Sequence, residues 1–340
     1  MTKIIPFSGL SGPTDNDTEQ TYSESAEELP PSILGGVISI GNFDGVHLGH
    51  RTLLREVHKQ ADVIDGPAVV VIFDPHPATI LRPGQSPPRL TWIERRAELL
   101  DQAGIDFLLV CETTRNFLNL SADAFFQSLV VDQLQARAVV EGPNFFFGHG
   151  RGGDVALMGE LCEQNNIDFA VMRPTEDSGE MISSTRIRHL LVAGKIDEAN
   201  AILGTPYRLR GSVTEGEKRG RKIGFPTANL TNIDVVTPGP GVYGGFVWID
   251  GKSYDAAVNI GSNPTFDDDS LKVEIHALDF SGDLYGAALQ LDVICHIRDV
   301  ARFESAEQLV EQIDRDVHTI RTRLERYRQT AKDDLGTQRK

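Results

Sequence analysis

The segment from Val37 to Gln60 constrains this chain most. An apolar run, Val37-Ile38-Ser39-Ile40, leads into Gly41-Asn42-Phe43-Asp44-Gly45-Val46-His47-Leu48-Gly49-His50 and then into a helix-like run, Arg51 to Gln60. A strand, a glycine-bearing turn and a helix start in direct succession make a place to hold phosphate. The first turn of a helix carries backbone N–H groups without intrahelical partners, and the aligned peptide dipoles put partial positive charge there. His47 and His50, three apart, fall on one face of that turn and bring two further polar groups to it. The plain alternative is a strand–turn–helix corner with incidental histidines. A zinc site is disfavoured, because no third Cys, His or Glu stands at a completing spacing.

The same alternation continues beyond this corner. Val37–Ile40, Ala68–Phe73, Phe107–Cys111, Ala138–Glu141 and Phe169–Met172 read as parallel strands apolar on both faces. Between them lie candidate helices: one from Trp92 to Ala103, with Thr91 and Glu94 as a capping box, and one after Ser121 running through Phe125, Phe126, Leu129 and Val130. Such alternation predicts right-handed βαβ units in a doubly wound α/β sheet, Rossmann-like, with ligands beyond the carboxyl ends of the strands. Asn42, Phe43, Asp44, His47 and His50 sit on the first of those loops, Asp74-Pro75-His76-Pro77 on the second and Asn144 to Gly148 on the third. Ser183-Ser184-Thr185-Arg186-Ile187-Arg188 puts hydroxyls and two guanidiniums at another helix start, a pattern suited to clamping pyrophosphate.

After Leu203 the texture changes to alternating strands. Leu289, Leu291, Val293, Cys295 and Ile297 are apolar at odd positions, with Ile294 alone on the other face; Val273, Ile275 and Ala277 alternate with Glu274 and His276. Val247–Ile249 and Tyr254–Val258 flank Asp250-Gly251, a hairpin signal. This half predicts an antiparallel β-barrel with a C-terminal helix, starting near Ser305 with Gln308 closing a capping box, whose seam is Val310, Ile313, Val317, Ile320, Leu324 and Tyr327. The expected division is a flexible acidic leader over 1–31, where no Lys or Arg occurs between Lys3 and Arg51, an α/β domain over 32–200 and a barrel domain over 201–340.

A second constellation lies in the barrel half. Gly216-Glu217-Lys218-Arg219-Gly220-Arg221-Lys222-Ile223-Gly224 packs cations between glycines, and Pro226-Thr227-Ala228-Asn229 follows it. In extended chain Thr227 and Asn229 share a side and present two neutral oxygens, which suit Mg²⁺ arriving with nucleotide phosphates. A solvated basic loop and a plain turn are the bland readings. Glu274 is the candidate to orient a substrate hydroxyl and take its proton. The loop from Asn259 to Phe266 and the turn Leu284-Tyr285-Gly286 are placed to cover a flat ring, with Arg298 serving the same pocket. Two look-alikes are set aside. Gly251-Lys252-Ser253 lacks the earlier glycine of a P-loop, since Phe246 stands there, and Gly148-His149-Gly150-Arg151-Gly152-Gly153 comes too late in the sheet for a dinucleotide fingerprint.

Net charge of −16 over 340 residues argues against covering nucleic acid, and no apolar run reaches membrane-spanning length. The three scattered cysteines and the absence of a secretory leader pattern point to the cytoplasm. Self-association is possible but not legible.

Gly41 to His50, Phe73-Asp74-Pro75-His76-Pro77, Ser183 to Arg188, Pro226 to Asn229, Gly241-Val242-Tyr243 and Asn263-Pro264-Thr265-Phe266, in this order and spacing, resemble the prokaryotic bifunctional riboflavin kinase/FAD synthetase family over nearly the whole chain after the leader. The resemblance implies a C-terminal module that phosphorylates riboflavin to FMN with ATP and an N-terminal module that transfers AMP to FMN, giving FAD and pyrophosphate, both with Mg²⁺. It further implies that Asn42, Phe43, Asp44, His47, His50, Asn144, Ser183, Ser184, Arg186 and Arg188 serve ATP in the adenylyltransferase, His47 and His50 catalytically. Gly216, Lys218, Gly220, Lys222, Gly224, Thr227 and Asn229 would serve kinase ATP, with Thr227 and Asn229 on the metal. Asn263, Phe266, Glu274, Tyr285 and Arg298 would meet flavin, Glu274 as catalytic base. Phe146, where the family is often polar, and Val300, where it usually has Glu, depart from the pattern. The rival readings are a monofunctional kinase or FAD synthetase with the other domain structural, a non-catalytic flavin-binding regulator, and a cytidylyltransferase, which leaves the Pro226 to Asn229 module unexplained.

Overall fold

In a computed structural model of the chain, residues 1–10, 28–214, 224–262 and 271–337 are described. They form two compact units: residues 1–87 with 91–183, and residues 88–90 with 184–340.

The first unit is built on strands β1 (Lys3–Phe7), β2 (Val37–Ile40), β3 (Ala68–Asp74), β4 (Phe107–Glu112), β5 (Ala138–Glu141) and β6 (Asp168–Val171), in the spatial order β1-β4-β3-β2-β5-β6. Every pairing in this six-stranded sheet is parallel. Successive side chains of a strand point to opposite faces, and here both faces are dry. Ile38, Val69, Leu109 and Val139 join one core layer with Phe117, Phe125, Leu129 and Met158 of the helical segments between residues 115 and 164. Val37, Val70, Leu108 and Ala138 join the other with Leu54, Val57 and Ala61 of the Leu48–Ile64 helix and Leu99 and Leu100 of the Ile93–Asp101 helix. Two apolar layers around one parallel sheet are the doubly wound arrangement that the strand pattern predicts. The chain reverses its winding between β2 and β5, so the ends of those strands flank the crevice where such sheets bind ligands. A small hairpin, β7 (Glu176–Asp177) and β8 (Glu180–Met181), turns through Ser178 and Gly179, both at positive φ.

Residues 3–7 depart from the expectation of a leader over 1–31. They form the edge strand of the sheet, in register from Lys3 opposite Phe107 to Phe7 opposite Cys111, with Phe7 buried and the Thr2 hydroxyl donating to the Ile105 carbonyl at 2.6 Å. Pro6 interrupts the apolar run and hides the strand in the sequence; an edge strand tolerates it. Residues 11–27 of the expected leader lie outside the described residues. The capping box read at Thr91 and Glu94 is also corrected. Trp92 is the N-cap of the Ile93–Asp101 helix with no side-chain cap bond, because the Thr91 hydroxyl is engaged by Asp44.

The second unit opens with helices Ser184–Val192 and Ile196–Leu203 and closes β9 (Tyr207–Thr214), β10 (Ala228–Thr231), β11 (Gly241–Ile249), β12 (Lys252–Ser262), β13 (Leu271–Ala277) and β14 (Ala288–Arg298) into a barrel in the order β10-β13-β12-β11-β14-β9. All its pairings are antiparallel. Asp250 and Gly251, at φ 48° and 76°, make the tight β11–β12 turn. Leu209, Val247, Val258, Ile260, Val273, Ile275 and Leu291 are fully or almost fully buried. The final helix, Ala306–Thr337, lays Ile320 and Leu324 against Ile294 and Cys295. Ile294 and Cys295 lie in one apolar cluster although they are consecutive, because the β11–β14 register slips between Gly244 opposite Cys295 and Gly245 opposite Val293. Glycine is required there: a Cβ on Gly245 would stand 2.2 Å from the Asp292 carbonyl oxygen.

Candidate functional site

In the first unit the loop after β2 is held from below. Phe43, Gly45 and Val46 take positive φ, at 46°, 88° and 41°, a strained backbone that persists only where its surroundings fix it. The fixing group is Asp44, whose Oδ1 accepts from the Thr91 amide at 2.9 Å, the Thr91 hydroxyl at 3.0 Å and Arg96 Nη2 at 3.1 Å. Gly45 N–H in turn donates to Thr91 Oγ1 at 3.1 Å. Asp44 and Arg96 are both buried. Thr91 and Arg96 were not singled out from the sequence as site residues; the available signal was a cation, Arg96, at a position the helix faces inward.

At the top of this loop His47 caps the Leu48–Ile64 helix, its Nδ1 accepting from His50 N–H at 3.2 Å. That bond leaves the ring proton of neutral His47 on Nε2. The two imidazoles stack with centroids 3.6 Å apart and planes 16° from parallel, and Phe43 lies 5.1 Å from the His50 ring. Desolvation, then the neighbouring His47 and Arg96, push the His50 pKa well below its ordinary value, so its ring stays neutral near pH 7. Its Nδ1 is buried without a hydrogen-bond partner among the described residues. A Cβ on Gly49 would meet the His47 ring at 3.2 Å and the Ile182 carbonyl at 3.6 Å. Gly49 thus leaves room for the His47 ring.

The second and third loops reach the same end of the sheet. Asn42 Nδ2 and His76 Nε2 lie 2.8 Å apart, and His76 Nδ1 accepts from the Ala78 amide at 3.0 Å. Asn144 is exposed, with its amide 3.8 Å from Met181 Sδ. Glu141, at the end of β5, is buried and accepts from the Ile40 amide at 2.6 Å. Glu141 was not among the expected site residues; His76 was expected on the second loop, without an assigned role. Ser183 belongs to this unit, whereas Ser184, Arg186 and Arg188 open the second, where Arg188 Nε donates to the Pro88 carbonyl at 2.7 Å.

In the second unit strand register assembles the other constellation. Asn229 on β10 lies opposite Glu274 on β13, and Glu274 lies opposite Asn259 on β12. Directly opposed residues share a face, so the three form one row. Glu274 Oε2 accepts from Asn259 Nδ2 at 3.4 Å, and Lys272 Nζ stands 3.3 Å from Oε1. Asn229 is buried, and its Oδ1 has no hydrogen-bond partner among the described residues. Thr227 immediately precedes β10, and His276 Nδ1 donates to the Pro226 carbonyl at 2.7 Å, packing edge-on against Phe225. His276 was missed as a site residue, and Asn259, expected in a loop over a flat ring, lies instead within β12, because nearness to Asn229 and Thr227 depends on strand pairing rather than spacing. Tyr285 is half-buried. Arg298 is held by Asp316 of the final helix, Nη2 to Oδ2 at 2.8 Å, with Nη1 on the Asp299 carbonyl. Gly224 takes φ 89°, while Gly216, Lys218, Gly220, Lys222, Asn263 and Phe266 lie outside the described residues.

Comparison with known proteins gives each unit a counterpart. A family model described as FAD synthetase matches residues 30–186, and one described as riboflavin kinase matches residues 203–324. The bifunctional riboflavin kinase/FMN adenylyltransferase of Escherichia coli K12 is 35% identical over 288 residues, covering 84% of this chain and 92% of that one. Its namesake from Pseudomonas fluorescens is 36% identical over 294 residues, covering 86% and 94%. A crystal structure from Streptococcus pneumoniae, titled a macrolide-efflux protein, superposes with a TM-score of 0.81 at 30% identity over 94% of this chain and 98% of that one. No helix among the described residues is long and apolar enough to cross a membrane. With both family models in sequence order and relatives matched almost end to end, this chain belongs to the bifunctional riboflavin kinase/FMN adenylyltransferase family, enzymes that phosphorylate riboflavin to FMN and adenylylate FMN to FAD with ATP.

Proposed function

We propose that the two reactions divide between the two units, with adenylyl transfer at the His47–His50 turn and phosphorylation at the Asn229–Glu274 row. The observation that carries this division is that each unit, taken alone, gathers a polar constellation of its own, one at the end of a parallel sheet and one across three barrel strands.

In the first reaction an FMN phosphate oxygen attacks the α-phosphorus of ATP, and the bond to the bridging oxygen of pyrophosphate breaks. No protein nucleophile is needed. The positive end of the Leu48–Ile64 helix and the Nε2–H of His47 meet the charge that builds on the phosphates, and neutral His50 backs that ring by stacking. Asp44 acts beneath the loop by holding its backbone. Asn42, Phe43, Asn144 and Ser183 are assigned to the same nucleotide.

In the second reaction Glu274 takes the proton of the ribityl 5′-hydroxyl as its oxygen bonds to the γ-phosphorus and the β–γ bridge breaks. The donor set fits Mg²⁺: Asn229 Oδ1 is a hard oxygen, buried and unpartnered among the described residues, beside the Thr227 hydroxyl. Asn229 and Thr227 would hold that ion, which when bound neutralises phosphate charge. Gly216, Lys218, Gly220, Lys222 and Gly224 are assigned to the nucleotide phosphates, and Asn263, Phe266 and Tyr285 to the flavin ring. Arg298 supports that end of the barrel through Asp316. The free, buried thiols Cys111, Cys162 and Cys295 suit a reducing cytoplasm, where we place the enzyme.

The test is product chromatography from riboflavin, ATP and magnesium. Glu274→Gln is expected to stop FMN formation while FAD still forms from supplied FMN, and His47→Ala with His50→Ala is expected to do the reverse. If either folded variant loses both activities, the division fails.

A further inference from the structure

Glu141 is a carboxyl group where a parallel sheet normally has backbone. β2 pairs with β5 only at Val37 opposite Ala138 and Ile38 opposite Val139; past that point Ile40 pairs with Val71 of β3 and Glu141 with Val171 of β6. The two central strands therefore part at the point where the sheet reverses its winding. The Ile40 amide, facing the gap, donates to Glu141 Oε1 at 2.6 Å, and Ser39 Oγ stands 3.5 Å from the same oxygen. The Gly142 amide also donates to this carboxyl. Glu141 is 3% exposed.

Ile40 is the last residue before the strained loop that ends in His47. We propose that Glu141 is a positioning residue for adenylyl transfer: its side chain spans the gap between β2 and β5, fixes the backbone at Ile40 and so sets the aim of the His47–His50 turn. This rests on the assignment of that turn to the adenylyl site. Burial raises the Glu141 pKa well above the usual carboxylate range, against the pull of its three donors. A neutral amide of the same shape, glutamine, keeps the acceptor that faces Ile40. Leucine fills the volume and removes the acceptor. Displacing a catalytic turn by a fraction of an ångström affects turnover more than ground-state binding.

The experiment uses the full chain with Glu141→Gln, Glu141→Leu and His47→Ala, measuring kcat and KM for FMN adenylylation and riboflavin phosphorylation on the same preparations. Expected for Glu141→Leu is a kcat for FAD formation lowered about tenfold or more with KM for FMN within about twofold, for Glu141→Gln a kcat within about threefold of the parent, and phosphorylation unchanged in both. Glu141→Met, which refills the volume flexibly, replaces Leu if that chain does not fold. The proposal is overturned if the apolar variant matches the parent or if Gln is impaired as severely as Leu. If His47→Ala abolishes FAD formation and Glu141→Leu does not, the site assignment stands and the positioning role alone falls. If His47→Ala leaves FAD formation intact, the site assignment falls and takes this role with it.

Discussion

His47 and His50 stack face to face at 3.6 Å, with the His47 ring already committed as acceptor for the His50 amide. Two imidazolium ions could not lie so close in a desolvated turn, and the lowered His50 pKa expresses this. An unfolded chain takes up a proton at His50 near its ordinary value of 6.5, whereas the folded chain takes it up only at lower pH. Between those values the unfolded state holds more protons, so this contribution to stability is complete above pH 6.5 and is lost as pH falls toward the folded value. The expected slope is at most about 1.4 kcal/mol per pH unit for this one group. Denaturant unfolding between about pH 8 and pH 5 should show the slope in the parent and a shallower one in His50→Asn. Equal slopes would refute it.

The Asp44–Arg96 pair is the support on which that turn rests. Both side chains are 9% exposed, and Asp44 also holds Thr91. Removing one member of a buried pair strands the other, at about 3–5 kcal/mol. Asp44→Ala is expected to lower unfolding free energy by an amount in that range, and Arg96→Met added to it should recover part of the loss. Both variants should have lowered FAD formation, because Thr91, on which the Gly45 amide rests, loses the carboxylate that orients it. Calorimetric unfolding with parallel assays of both activities checks this; a stable Asp44→Ala with full adenylylation would contradict it.

What could be read in the sequence was whatever chain spacing alone determines. Strands such as Val37–Ile40 and Ala138–Glu141 show because both faces are apolar, the Asp250-Gly251 hairpin because its turn chemistry is local, and the His47–His50 turn because its residues are contiguous. Lys3–Phe7 was hidden by Pro6, and Thr91 was misread because a hydroxyl before a helix serves a cap or a distant carboxylate equally well. Only the fold brings Asp44 to it. Asn259 opposite Glu274 depends on register between strands more than ten residues apart, and Glu141 reads as an ordinary polar strand end until β2 and β5 are seen to part.

Asn229 carries a buried oxygen with no hydrogen-bond partner among the described residues, a destabilising feature in the ligand-free protein. Asn229→Leu removes that orphan at similar volume. Its thermal midpoint is therefore expected to equal or exceed that of the parent, while riboflavin phosphorylation falls by about a hundredfold or more, an estimate for loss of a transition-state contact. FAD formation from supplied FMN should not change. A variant that lost stability and kept kinase activity would show the oxygen to be structural.

Arg298 and Asp316 join the last barrel strand to the final helix, Asp316 at 7% side-chain exposure and Arg298 at 23%. Arg298→Ala leaves the buried Asp316 carboxylate without its cation, and Asp316→Ala leaves the guanidinium without its anion. Each is expected to cost about 1–3 kcal/mol by loss of a charged hydrogen-bond partner. If Arg298 acts on the flavin site only by seating the helix, both variants raise the riboflavin KM by the same factor. Gln312, which donates to Asp316 Oδ1 at 2.8 Å, retains some order in the helix when Arg298 is removed. Steady-state kinetics on the two variants separate the possibilities. A KM rise confined to Arg298→Ala would mean that the guanidinium touches flavin directly and that the clamp is incidental to binding.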